Sequence, residues 1–133
     1  MGVTAETRVL LVEDDPDTAL VLKTRLQMAG YEVHVEGYGA TALSYAVGHQ
    51  PDLVILDVNL PDLNGYDVCQ ELRQFYDRSQ VSVLLYTATR DAIDDVYVLT
   101  CGADAYLTKQ SDPAELLQVI DQLLHQISHF EFA

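Results

Sequence analysis

Carboxylates close two short apolar runs of this chain. Arg8-Val9-Leu10-Leu11-Val12 discharges into Glu13, Asp14 and Asp15, and Leu53-Val54-Ile55-Leu56 into Asp57. Later runs end on Thr87 and on Thr108-Lys109. Runs this rich in Val, Ile and Leu read as buried parallel strands. In an open α/β sheet the crevice beyond the carboxyl ends of the strands is where ligands bind. Carboxylates gathered there repel one another, by roughly 4 kcal/mol per pair at 4 Å and an effective dielectric of 20. A hard divalent cation with oxygen ligands relieves that repulsion. With a hydroxyl and an ammonium at the same rim, the set contains a metal holder, an anion acceptor and an anion clamp. Phosphoryl transfer needs those parts, because its catalysis is mostly positioning and charge neutralisation. A lone Asp after a strand is ordinarily a turn or cap residue. Their conjunction at successive strand ends is what points to chemistry.

Strand and helix signals alternate along the chain to carry these residues. A strand over 8–13 leads into a helix over 16–29, with Asp15 as its cap and Pro16 in its first turn. Leu22, Leu26 and Ala29 form its apolar stripe, and Gly30 ends it. A strand over 31–35, a helix over 39–49 stopped by Pro51, and a strand over 53–56 follow. An irregular loop over 58–65, where Gly65 permits a turn, precedes a helix over 66–76 that directs Val68, Leu72 and Phe75 at the sheet. The fourth strand spans 81–86. The fourth helix, 92–101, is weak by propensity because β-branched residues crowd it, and Gly102 closes it. A strand over 105–107 and a last helix, from the Ser111-Asp112-Pro113 cap to Ile127, complete the pattern. Leu116, Ile120, Leu123 and Ile127 form the stripe of that helix. β-α units joined by such short loops predict an α/β fold, a five-stranded parallel sheet in a three-layer sandwich with five helices. One domain over 7–127 is expected, with flexible termini at 1–6 and 128–133.

Composition narrows the function classes. The 133 residues include 21 acidic and 7 basic side chains, a net charge of −14. Such a field disfavours nonspecific binding to nucleic acid or anionic membrane and favours a cationic partner or metal. No apolar stretch reaches the roughly 18 residues of a membrane span. The start lacks the basic region of a signal peptide, and Glu6 stands where a myristoylation signal needs Ser or Thr. A cytoplasmic location is expected. Cys69 and Cys101 read as reduced thiols packed as small hydrophobes. His34, His49, His125 and His129 are scattered, and none closes a strand at the rim.

The chain resembles the receiver domain of bacterial two-component response regulators across nearly its whole length. The resemblance rests on Asp14-Asp15, Asp57-Val58-Asn59-Leu60-Pro61-Asp62-Leu63-Asn64-Gly65, Thr87-Ala88, Gly102-Ala103-Asp104-Ala105-Tyr106 and Lys109, in that order. It implies a flavodoxin-like sheet of order 2-1-3-4-5, which periodicity alone does not supply. It further implies that Asp57 is the phosphoacceptor, taking a phosphoryl group from a phosphohistidine. A carboxylate suits that role because it needs no deprotonation at neutral pH. The implied cofactor is Mg2+ (or Mn2+), held by the side chains of Asp14, Asp15 and Asp57 and the carbonyl of Asn59. Glu13 is expected to face helix or solvent contacts instead.

By the same resemblance Lys109 holds the phosphoryl oxygens and, without phosphate, pairs with Asp57. The Thr87 hydroxyl and the Ala88 N–H contact the phosphate, and Thr87 with Tyr106 forms the switch pair. Implied partners are a sensor histidine kinase or a histidine phosphotransfer protein. A homodimer or an effector is expected on the fourth helix, fifth strand and fifth helix, where Ile93, Val96, Tyr97, Tyr106, Leu117 and Leu124 lie. No direct contact with nucleic acid or membrane is expected. Such a domain assists its own phosphoryl transfer and dephosphorylation and is not a conventional enzyme.

Two departures from the family pattern stand out. Position 110 is Gln where Pro is usual, so a trans Lys109–Gln110 bond is expected; cis before a non-proline residue costs about 2.5–4 kcal/mol. Asn59 and Thr89 occupy the places that tune hydrolysis of the acyl phosphate, and neither is a strong base. The alternative function is a receiver-like interaction module not regulated by phosphorylation. Such a module loses the acceptor or an acid, whereas this chain keeps them together. A small hydrolase would need a general base at the rim, and a flavin binder a Ser/Thr/Gly-rich phosphate loop after the first strand. No effector domain is expected in the tail His-Phe-Glu-Phe-Ala, which has neither a basic patch nor a helix-turn-helix.

Overall fold

Strand and helix follow one another five times in the computed structural model, which describes residues 6–88 and 93–125. The first units are β1 (Arg8–Val12), α1 (Pro16–Met28), β2 (Glu32–Glu36) and α2 (Gly39–His49). Next come β3 (Leu53–Leu56), α3 (Gly65–Leu72), β4 (Ser82–Thr87), α4 (Asp95–Cys101), β5 (Ala105–Thr108) and α5 (Pro113–Leu124). The five described strands pair in parallel, in the order 2-1-3-4-5.

Alternate side chains of a strand point to opposite faces, and this divides the core in two. Leu10, Val12, Val54, Leu56, Val83 and Leu85 meet α2, α3 and α4. Val9, Leu11, Leu53, Ile55, Leu84 and Tyr86 meet α1 and α5 through Leu22, Leu26, Leu116 and Ile120. Burial on both faces explains why the central strands are continuous apolar runs.

Helix ends follow their cap chemistry. Asp15 accepts the Thr18 N–H at 3.0 Å and Asp112 the Ala114 N–H at 2.9 Å. Past α1 and α4 the chain turns through Gly30 (φ 99°) and Gly102 (φ 88°), a left-handed region that a Cβ disfavours.

Some expectations need correction. α3 stops at Leu72, so Phe75 is 55% exposed and does not face the sheet. Tyr76 packs inward in its place, its hydroxyl donating to the Val47 carbonyl at 2.6 Å. Ala29 caps α1 and is exposed, and Ala19 joins the buried stripe instead. α4 begins at Asp95, capped by Asp94, which accepts from the N–H groups of Val96 and Tyr97. The expected helix start at Ala92, Thr89, Ile127, His129 and the terminal segment 128–133 lie outside the described residues, as do 1–5. No helix among the described residues is long and apolar enough to cross a membrane.

Candidate functional site

Register assembles the site. The sheet order makes β1 and β3 neighbours although they are not consecutive, and the crevice of such a sheet opens at that switch point. Val12 pairs with Leu56, so Glu13 and Asp57 leave the sheet side by side. Both are buried, at 4% and 6% exposure. β4 delivers the fully buried Thr87, whose hydroxyl donates to Asp57 Oδ1 at 3.1 Å. The Asn59 N–H donates to the same oxygen at 3.0 Å. On β5, Thr108 pairs with Thr87, and the next residue brings its backbone N–H to the Thr87 carbonyl at 2.7 Å. That residue is Lys109. Its ammonium donates to Asp57 Oδ2 at 2.9 Å and also to Glu13 Oε1.

Two buried carboxylates therefore share one cation. Burial disfavours the ammonium charge, but the bonds and attraction from Glu13 and Asp57 outweigh it and hold the Lys109 pKa above its ordinary value. The exposed Asp14 completes an acid group: one carboxylate oxygen each from Glu13, Asp14 and Asp57 lies within 4.8 Å of the others. An all-oxygen donor set of this size fits a hard divalent ion such as Mg2+, which keeps several waters and takes few protein ligands.

The loop after β3 is held from two sides. Asp62 accepts the N–H groups of Gly39 at 2.8 Å and Ala40 at 3.0 Å, tying the loop to the start of α2. Asn64 caps α3 by accepting the Tyr66 N–H at 2.8 Å. Gly65 matters here through contact, because its φ is not among the positive ones. A Cβ at that position would lie 2.2 Å from the Asp57 carbonyl oxygen and 2.8 Å from Val58 Cα. The start of α3 thus sits directly against the backbone that carries Asp57.

Asp57, Thr87, Lys109 and Asp14, which the strand-end pattern singled out, lie together, and Asn59, which the resemblance added, joins them through its N–H. Ala88 follows Thr87 at the exposed rim. Asp15 does not join them: its carboxylate accepts from the Thr18 hydroxyl at 2.5 Å and the Thr18 N–H, which hold its pKa below the usual range. Glu13, expected to face helix or solvent contacts, stands in the cleft instead. A signal for it was present, since Glu13 follows Val12 as Asp57 follows Leu56, the first residue past an apolar run. Tyr106 lies two residues before Thr108 and packs against the core on the α2-α3-α4 face. The Lys109–Gln110 bond is trans.

Comparison with known proteins agrees with this arrangement. A family profile, the response regulator receiver domain, matches residues 9–121. The probable transcriptional regulator ycf27 of Cyanidium caldarium is 40% identical over 119 residues, 90% of this chain and 47% of that protein. The chain spans about half the length of the curated relatives it matches. Among solved structures, the response regulator TrrA of Thermotoga maritima, in complex with Mg2+-BeF, has a TM-score of 0.80 and 32% identity. That likeness covers 88% of this chain and 98% of TrrA. The receiver domain of a sensor histidine kinase from Pseudomonas aeruginosa, with magnesium in its active-site cleft, has a TM-score of 0.81 and 30% identity. It covers 90% of this chain and 98% of that one.

Proposed function

Because this chain belongs to the response regulator receiver domain family, we propose that it is a phosphoacceptor in which Asp57 is the residue modified. The donor is the phosphohistidine of a sensor histidine kinase or a histidine phosphotransfer protein. A carboxylate oxygen of Asp57 attacks phosphorus, the bond from phosphorus to the imidazole nitrogen breaks, and an acyl phosphate forms. Lys109, already on Asp57 Oδ2, follows the charge onto the phosphoryl oxygens. In this reading the Thr87 hydroxyl and the Ala88 N–H donate to the same group. Mg2+ (or Mn2+), when bound, neutralises phosphoryl charge. Its ligands in this reading are Glu13, Asp14, Asp57 and the Asn59 carbonyl; Asp15 remains the cap of α1. The observation that carries the proposal is the buried Asp57, held by one ammonium inside an acid group at the sheet's switch point.

The product adds about −1.5 to −2 charges at neutral pH. That charge draws the Thr87 hydroxyl off Asp57 Oδ1, and Tyr106, on the same face of the neighbouring strand, moves into the space released. The readout is a population shift of a few kcal/mol at most on α4, β5 and α5. Val96 and Tyr97, 64% and 55% exposed on α4, suit a second copy or an effector at that surface. A net charge of −14 argues against direct nucleic-acid contact by this domain, and the algal relative's description as a transcriptional regulator supports a role ahead of gene control. A cytoplasmic setting accompanies a kinase donor, and the domain is taken as 7–127.

Intact-mass measurement after incubation with phosphoramidate tests this function. Wild type with Mg2+ should gain one hydroxylamine-labile phosphoryl group, and chelation of Mg2+ or Asp57→Ala should abolish the gain. Labelling of Asp57→Ala at the wild-type rate would refute it.

A further inference from the structure

The sequence holds two cysteines, 32 residues apart, and the fold brings them together. Cys69 lies on α3 and Cys101 ends α4. The Cys69 thiol donates to the Cys101 carbonyl oxygen at 3.3 Å, and the Cys101 thiol to the Val98 carbonyl oxygen at 3.5 Å. Both are free, and the phosphoryl chemistry uses neither. We propose that Cys69 and Cys101 form a redox site, in which a peroxide-class oxidant converts the pair into an intrachain disulfide that fastens α4 to α3.

The two thiols stand in different surroundings. The adjacent Cys69 thiol, the Ala103 N–H and the Arg73 guanidinium outweigh burial and lower the Cys101 pKa below the ordinary thiol value. The neighbouring Cys101 and burial raise the Cys69 pKa. Thiolates are the species that attack peroxides, and a sulfenic acid condenses with a neighbouring thiol to a disulfide. Position agrees with these roles. Cys101 is 5% exposed and lines a polar groove between α3 and α4 with Tyr66, Gln70, Tyr97 and Thr100. Cys69 is fully enclosed.

In the first step the Cys101 thiolate attacks one peroxide oxygen, the O–O bond breaks, and hydroxide leaves a sulfenic acid on Cys101. The Cys69 sulfur then attacks the Cys101 sulfur; its proton and the departing hydroxyl leave as water. Two thiols and one hydrogen peroxide give one disulfide and two waters. α4 is already tied to α3 at its other end, where the Asp94 N–H donates to the Tyr66 hydroxyl at 2.7 Å and the Tyr66 and Tyr97 rings meet edge-on at 5.4 Å. The disulfide would fasten both ends of a seven-residue helix.

The full chain, treated with hydrogen peroxide beside a glutathione control, provides the test by non-reducing intact mass and peptide mapping. Wild type should lose two hydrogens, yield one Cys69–Cys101 peptide pair, and regain its mass with dithiothreitol. Cys69→Ser should stop at a Cys101 sulfenic acid that dimedone traps. Cys101→Ser should keep its remaining thiol reduced over the same interval. Cross-linking only between chains would overturn the proposal. So would oxidation of one cysteine to a sulfinic acid with the other left reduced, or no mass change once glutathione is consumed. None of these readings depends on whether Asp57 is phosphorylated.

Discussion

Lys109 balances two carboxylates that are more buried than it is, so its loss should be felt in the fold. Breaking a buried ion pair by removing one partner costs about 3–5 kcal/mol; a cleft open to solvent reduces that to about 1–3 kcal/mol for Lys109→Ala. Urea titration in metal-free buffer measures it, and Mg2+ should restore part of the loss. The pH dependence has a definite sign. A lysine pKa raised by folding contributes stability that is complete below its ordinary value of 10.5 and is lost as pH rises through the folded value. The stability gap between wild type and Lys109→Ala should therefore hold steady from about pH 7 to 10 and narrow above. Asp14→Asn acts in the opposite direction. It removes one of three like charges without taking a partner from Lys109, so the metal-free melting temperature should rise and the gain from Mg2+ shrink. A lower metal-free melting temperature would show that Asp14 is held by something other than repulsion.

Among the elements, α3 is the one whose position the site depends on most. Gly65→Ala would place a methyl group against the Asp57 carbonyl and Val58 Cα, and backbone cannot give way as a flexible side chain does. Overpacking of this kind costs about 1–3 kcal/mol, and the displaced Asp57 should be phosphorylated more slowly. Gly48→Ala is the matched control. It lies within α2 with nothing inside 4 Å of a Cβ, and should stabilise the fold by about 0.5–1 kcal/mol at unchanged phosphorylation. Away from the cleft, Asp104 secures β4 and β5 to α3. Its side chain is 2% exposed and accepts from the Arg73 guanidinium and the Val83 N–H, each at 2.8 Å. Arg73 also donates to the Gly102 and Val81 carbonyls, so one ion pair joins α3, the end of α4 and the entry to β4. Asp104→Ala should cost about 2–3 kcal/mol by taking the carboxylate from a largely enclosed guanidinium that keeps only its carbonyl partners, with phosphorylation retained below the new melting transition.

For the molecule as a whole, a net charge of −14 means that any cation stabilises it somewhat by screening. A specific site behaves differently, because an ion that binds the folded state alone stabilises by mass action. Thermal melts at matched ionic strength should show a Mg2+ gain beyond that of Na+, and the excess should vanish in Asp57→Ala. Equal gains in both proteins would make the acid group an unspecific part of the surface charge.

How much of this was legible beforehand follows from the range of each interaction. Caps and apolar stripes act within a few residues, so Asp15, Asp112, Gly30 and Gly102 marked helix ends, and Leu22, Leu26, Leu116 and Ile120 marked core faces. The end of α3 was harder to read, because Tyr76 outcompetes Phe75 for the interior only once the Val47 carbonyl is within reach of its hydroxyl. The strand-end pattern located Asp57, Thr87 and Lys109, since each ends an apolar run. Sheet order came from the family pattern and not from periodicity, because strand pairing joins residues far apart in the chain. Three consecutive acids after β1 were plain in the sequence, but their division of labour was not. The alignment of Val12 with Leu56 puts Glu13 beside Asp57, while Asp15 turns back to cap α1. The meeting of Cys69 with Cys101, and the contact that requires Gly65, were decided in the same way. Local propensity determined which elements form, and the packing of those elements determined which side chains meet.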